Sequence, residues 1–205
     1  VTRSESDNLE PGDVMGRKAR YERKTKETEV VVKLDLDSSG YEISTPLTFF
    51  NHMLETFAKH SGIELKLKAK GDVEVDEHHL VEDTAIAVSR ALKEALGDKR
   101  GIERFGYAIL PMDESVAICG VDVSGRGVFR FEGEVRGEIK NFKGENFIHF
   151  FETLSRESGI NIYLEIKGFN LHHKMEAGFK AFAVSLKNAI RIAGEDVKST
   201  KGSLE

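Results

Sequence analysis

Two kinds of hydrophobic pattern alternate along the chain. Apolar residues at every second position over Glu29–Asp37 and Ser115–Val123 predict strands. Each is followed by a glycine-bearing turn, Ser38-Ser39-Gly40 and Ser124–Gly127. Next, Phe50, Met53, Leu54 and Phe57 recur at helical spacing and predict an amphipathic helix over Thr48–Ser61, with a second over Glu145–Ser158. Gly62 and Gly159 stand where a left-handed cap would end these helices. A hairpin of Ile63–Ala69 with Asp72–Val75 is expected to follow, matched by Ile160–Ile166. Long helices over about Glu77–Leu96 and His172–Ile192 close the two series.

The two series are copies of one another. FFNHMLETFAKHSGI at Phe49–Ile63 aligns with NFIHFFETLSRESGI at Asn146–Ile160, pairing His52 with His149 and Glu55 with Glu152. His78-His79-Leu80-Val81-Glu82 aligns with His172-His173-Lys174-Met175-Glu176, and LDLDSSG at Leu34–Gly40 with VDVSGRG at Val121–Gly127. The fold class this predicts is α+β, with internally duplicated half-domains, each a β-sheet covered by two helices. The halves are expected at residues 20–98 and 99–194, between a flexible N-terminal tail, 1–19, and a C-terminal tail, 195–205. Met15 is a candidate start, with the polar stretch before it an extension.

Composition narrows the function. The chain has 205 residues, 40% of them hydrophobic, enough to bury a large core without covalent staples. Its one cysteine, Cys119, forms no internal disulfide and no cysteine-based zinc site, which suits a reducing cytoplasm. Apolar runs stop at four residues, so no membrane span is expected, and the polar first 14 residues are no secretory signal. A net charge of −5 with interspersed signs argues against a nucleic-acid partner.

Candidate chemistry lies in the histidines. Six of the seven, His52, His78, His79, His149, His172 and His173, fall at equivalent positions of the two copies; His60 faces Glu157 in the alignment. One such histidine alone is usually a surface or core residue. Retention of all six, with Glu82 and Glu176, in otherwise diverged copies points to metal. On a helix, positions i and i+4 lie about 40° apart, so His78 with Glu82, and His172 with Glu176, can chelate one ion each. His79 and His173 point about 100° from their neighbours and should serve a different ion. Pseudo-symmetry gives His52, His79, His172 and Glu176 for one site, and His78, Glu82, His149 and His173 for the other. Ligands facing opposite ways from one helix invite sites shared between subunits. Three imidazoles and a carboxylate with open positions suit an octahedral ion such as manganese.

At these residues the chain resembles the imidazoleglycerol-phosphate dehydratase family of histidine biosynthesis. The resemblance runs from Arg20 to Gly202. It is carried by RKTKET at Arg23–Thr28, FFNHML at Phe49–Leu54, VDEHHLVEDTAI at Val75–Ile86, ERFG at Glu103–Gly106, DVSGRG at Asp122–Gly127, HHKMEAGFKA at His172–Ala181 and STKG at Ser199–Gly202. Ser89 replaces a usual glycine, and Phe169 and Leu171 depart from the usual GENDHH run, without removing a ligand.

The resemblance implies a ribosomal protein S5 domain 2-like fold and two Mn2+ ions per active site. It also implies a 24-subunit cage with ligands from adjoining subunits. The implied reaction is dehydration of D-erythro-imidazole glycerol phosphate to imidazole acetol phosphate. Glu27 matches the family's acid/base glutamate, with Glu82 and Glu176 as ligands that can also move a proton. Arg104, Arg126, Lys180, Ser199 and Lys201 match its substrate phosphate contacts, so the C-terminal tail is expected to order against phosphate or a neighbouring subunit.

That chemistry is physically coherent with the residue set. The proton to be removed lies on an unactivated carbon, and an imidazole ring held by cations provides an electron sink. Asp76 and Asp83, flanking the first histidine pair, can orient imidazoles or favour a helix start. Competing readings are a dinuclear hydrolase and a histidine-rich module whose metals only join subunits.

Overall fold

The computed structural model describes residues 16–71, 73, 77–200, 202 and 204. Its first half holds β1 (Lys18–Lys24), β2 (Thr28–Asp35), β3 (Gly40–Ser44), α1 (Thr48–Ser61), β4 (Glu64–Gly71) and α2 (His78–Leu96). The second holds β5 (Phe105–Met112), β6 (Ser115–Asp122), β7 (Phe129–Glu132), a short ribbon of β8 (Glu138–Ile139) and β9 (Phe142–Lys143), α3 (Gly144–Ser158), β10 (Asn161–Lys167) and α4 (Leu171–Ile190). The sheets have one topology, β1-β2-β4-β3 and β5-β6-β10-β7. In each, two antiparallel pairings are followed by one parallel pairing, β3 with β4 and β7 with β10. α1 and α3 are the crossovers those parallel pairs require.

Alternation explains the sheets. In β2, Val30, Val32 and Leu34 point into the core while Glu29 and Lys33 face out. The helices pack across the halves, α1 on α4 and α2 on α3, so the core lies between the sheets. Aromatic rings fill the seam. Phe50 stacks on Phe142 (5.2 Å between centroids) and Phe57 on Phe182 (5.7 Å), joining α1 to the second half. Gly62 and Gly159 end α1 and α3 at φ of 73° and 76°, donating their N–H groups to Ala58 O and Ser155 O. Only glycine takes that left-handed cap without strain.

Three expectations change. The tail expected over residues 1–19 gives way to β1 at Lys18, and Arg17 is already tied down, donating to Asp37 and to Ile190 O. β1 and β5, which the hydrophobic pattern did not announce, supply a fourth strand to each sheet. The hairpin expected after α1 is replaced: β4 pairs with β2 and β3, and Asp72, Glu74 and Val75 lie outside the described residues. Among the described residues, no helix is long and apolar enough to cross a membrane.

Candidate metal centre

Packing of α1 on α4 and of α2 on α3 creates two clusters of the same composition. On the first, His52 of α1 meets His172 and Glu176 of α4. Glu176 Oε2 lies 2.9 Å from His172 Nε2 and 3.5 Å from His52 Nε2. On the second, His78 and Glu82 of α2 meet His149 of α3; the imidazoles stack at 4.2 Å, and His149 Nε2 is 3.7 Å from Glu82 Oε1. In each cluster the three donor atoms lie within 4.8 Å of one another. The i, i+4 spacing on the long helix supplies one imidazole and the carboxylate; the short helix of the other half supplies the second imidazole.

The donors fit a divalent cation. His149 Nε2 is buried and has no hydrogen-bond partner among the described residues. Such an orphan is costly unless something fills the position it faces. Burial, with the His78 ring beside it, holds the His149 imidazole below its usual pKa, in the neutral form that ligates. Burial alone would raise the Glu176 carboxyl, but Lys180 Nζ at 2.8 Å, with the His172 and His52 rings, outweighs it and holds the group below its usual value. Two imidazoles and a carboxylate without a thiolate suit borderline and hard cations. Polar support surrounds the second cluster. His78 Nδ1 is 3.3 Å from the side-chain oxygen of buried Asn146, whose amide donates to Glu77 (2.9 Å).

His79 and His173 join neither cluster within the chain, so the four-ligand sets expected from pseudo-symmetry are not assembled by one subunit. Each turns to a carboxylate in a strand turn instead. His79 Nδ1 meets Glu27 Oε2 at 2.5 Å, in the β1–β2 turn. His173 Nδ1 meets Glu114 Oε2 at 2.7 Å, in the β5–β6 turn. Their rings stand 6.0 Å from those of His78 and His172. Glu114 was not anticipated from the sequence. The offset that aligns LDLDSSG with VDVSGRG also aligns Glu27 with Glu114, and that signal would have found it. His173, with the backbone N–H of Asn170 next, holds the Glu114 carboxyl at about 2.

The other candidates separate. Arg104 Nε donates to Asp122 Oδ1 (2.8 Å) and its Nη1 to Lys198 O (2.7 Å), while Arg126 reaches the same aspartate at 3.3 Å. Arg104, Arg126 and the segment leading to Ser199 therefore share one corner. Lys180 does not belong to it: the N–H of Arg104 donates to Ala189 O, roughly 14 Å further along α4 at 1.5 Å per residue. Lys201 lies outside the described residues, as does Asp76. Asp83, a candidate for orienting an imidazole, instead accepts from Arg23 Nε (2.5 Å) and the Thr28 hydroxyl. It pins the Glu27 turn to the start of α2. Ser89, in place of glycine, donates to Ala85 O (2.6 Å) and fits the α2–α3 contact. Cys119 is buried and its thiol pushed up to about 12, so it is no nucleophile.

Fold and site together define a class: an internally duplicated α+β protein with two histidine–carboxylate clusters at the seam between its halves. The family model of imidazoleglycerol-phosphate dehydratase matches residues 45–186. Imidazoleglycerol-phosphate dehydratase of Chlorobium phaeobacteroides is 49% identical over 191 residues, covering 92% of this chain and 96% of that protein. The Archaeoglobus fulgidus protein of the same name is 51% identical over 187 residues, 91% of this chain and 99% of its own length. The crystal structure of the Staphylococcus aureus dehydratase superposes with a TM-score of 0.78 at 31% identity, covering 86% of this chain and 99% of that one. The chain belongs to the imidazoleglycerol-phosphate dehydratase family, hydro-lyases of histidine biosynthesis.

Proposed function

We propose that the chain dehydrates D-erythro-imidazole glycerol phosphate to imidazole acetol phosphate, using two manganese ions per active site. The observation that carries this reading is the mirrored pair of His-His-Glu clusters in a chain of this family. His52, His172 and Glu176 would hold one ion, and His78, Glu82 and His149 the other. The ions, when bound, would supply Lewis acidity and grip the substrate's imidazole ring.

The chain's own residues do the rest. Glu27 stands on a turn at the surface, 63% exposed, with its carboxylate against His79. The Arg23–Asp83–Thr28 network holds that turn, so Glu27 can take a proton from the substrate carbon or return one to a leaving hydroxyl. Arg126, 62% exposed, offers its guanidinium to the phosphate, and Arg104 beside it is pre-oriented by Asp122. Ser199 would add to that corner, and Lys201 is a further phosphate contact that the family resemblance implies. Lys180, on Glu176, lies midway along α4, roughly 14 Å from that corner, so one bound substrate would meet both groups only across subunits.

The family resemblance implies a cage of 24 subunits, and two features support the coarser reading that copies associate and share ligands. His79 turns its ring outward, 61% exposed, on the same helix as a cluster it does not join. The outer face of β5 carries Phe105, Tyr107 and Ile109, 55%, 80% and 70% exposed, an apolar stripe that a neighbouring copy would cover.

The test is Glu27→Gln. Assembly and metal content should persist while dehydration, followed by product formation, falls by roughly 10²–10⁴-fold. Full activity in that variant would remove Glu27 from the reaction. Metal analysis of the purified wild type should give about two manganese per chain, and chelation should abolish both turnover and large-particle mass. Turnover that persists after complete stripping would overturn the metal-dependent reading.

A further inference from the structure

We infer that Glu114 is a positioning residue that fixes the tautomer of His173, leaving its Nε2 as the nitrogen that binds an ion. The inference rests on the metal reading above and concerns a residue outside the ligand set.

Glu114 is held from three sides. Its Oε1 accepts the backbone N–H of Asn170 (2.8 Å) and the hydroxyl of Ser115 (2.9 Å), and its Oε2 meets His173 Nδ1 at 2.7 Å. Asn170 is the N-cap of α4, and its side-chain oxygen accepts the N–H groups of His172 and His173. One carboxylate thus ties the β5–β6 turn to the first turn of α4, where both histidines sit. A carboxylate that accepts a backbone N–H and a hydroxyl on one oxygen is an acceptor on the other as well, so Nδ1 of His173 is the donor. The lone pair is left on Nε2. Asp113 Oδ2 approaches that nitrogen only to 3.5 Å from a side chain that is 73% exposed. Carboxylates that hold a ligating imidazole in this way set its orientation and basicity.

The repeat supplies an internal control. Glu27 makes the equivalent contact with His79, but its carboxylate has no second partner among the described residues. A glutamine at 27 can rotate its amide so that oxygen faces Nδ1–H and the tautomer persists. A glutamine at 114 cannot. Its single oxygen must stay on the Asn170 and Ser115 donors, which turns the NH2 toward His173 Nδ1. The ring must then accept at Nδ1 and carry its proton on Nε2, where an ion should bind.

The experiment is manganese titration of stripped wild type, Glu114→Gln, Glu114→Ala and Glu27→Gln. Free manganese is followed by its electron paramagnetic resonance signal, alongside thermal melting of each metal-free protein. The expected result for Glu114→Gln is an unchanged metal-free melt and one class of sites weakened about 10- to 100-fold. Glu27→Gln should keep wild-type affinity, and Glu114→Ala should lose affinity and melting temperature together. Wild-type manganese affinity in Glu114→Gln would overturn the inference while leaving the metal reading intact. So would a loss of affinity that only follows a fall in its metal-free melt, because Glu114 would then be a structural tie alone. A wild-type protein that takes up no manganese would remove the metal reading and this inference with it.

Discussion

The two halves share a topology and a ligand pattern, yet they treat equivalent positions differently. In the first half the turn carboxylate, Glu27, is exposed and among the described residues meets His79 alone; in the second, Glu114 is clamped by three donors. Arg17 pairs with Asp37, whereas its counterpart Arg104 pairs with Asp122, which Arg126 also reaches. The outer face of the first sheet bears Lys33, Lys66, Lys68 and Glu42; that of the second bears Phe105, Tyr107 and Ile109. What is alike in the two copies is the helix-borne donor geometry. What differs lies in turns and outer faces, where a change leaves the core intact. The contrast teaches that the repeat constrains the clusters, while the strand turns divide singly held from multiply held carboxylates.

The largest expected effects test whether the clusters are equivalent. His52→Ala and His149→Ala each remove the short-helix imidazole from one cluster. Each variant should retain about one manganese per chain in place of two and lose nearly all turnover, with the two clusters failing independently. Elemental analysis after gel filtration reads this directly. Loss of both ions in either variant would break the comparison, because it would mean one cluster cannot form without the other.

A smaller effect separates the halves at their strand–helix contacts. A Cβ at Gly106 on β5 would lie 1.9 Å from Ser185 O of α4, so β5 and α4 approach too closely for any side chain there. Ala19 holds the equivalent place on β1 and packs against the core. Gly106→Ala should destabilise by about 1–3 kcal/mol, from forced separation of helix and strand. Ala19→Gly should cost roughly 0.5–1 kcal/mol, from backbone freedom. Denaturant melts of the metal-free protein rank the two; equal losses would mean that the halves pack alike.

Much of this was legible in advance where side chains repeat at one period. α1 and α3, with their glycine caps, follow from Phe50, Met53, Leu54 and Phe57 and their counterparts. β5 was hidden because its outward residues, Phe105, Tyr107 and Ile109, are larger and more apolar than inward Gly106 and Ala108. There the alternation that marks a core face is inverted. β1, KARYERK, was hidden for the opposite reason, since charged residues occupy both of its faces. At the site, helical spacing placed His78 with Glu82 and His172 with Glu176. It could not show that His79 and His173 turn to Glu27 and Glu114, because those partners arrive from strand turns whose register is a tertiary outcome.

The smallest prediction concerns the pair that has no counterpart in the second half. Hydrogen bonds from Arg17 hold the Asp37 carboxyl below its ordinary value. A depressed folded value means that the carboxylate stabilises the fold above its unfolded pKa of about 3.9. The contribution is lost as pH falls through the lower folded value. Asp37→Asn keeps an acceptor for Arg17 but removes the charge. With Asp37 48% exposed, the variant should lose only about 0.2–1 kcal/mol at pH 7. The difference should shrink in 1 M salt and vanish once Asp37 is protonated in the folded wild type. Melting curves from pH 7 down to about pH 2.5 would show the two proteins converging. A gap that stayed constant across that range would mean that Asp37 acts through its shape and not its charge. The Arg17 anchor would then owe its place to the bond with Ile190 O, which ties β1 to the end of α4.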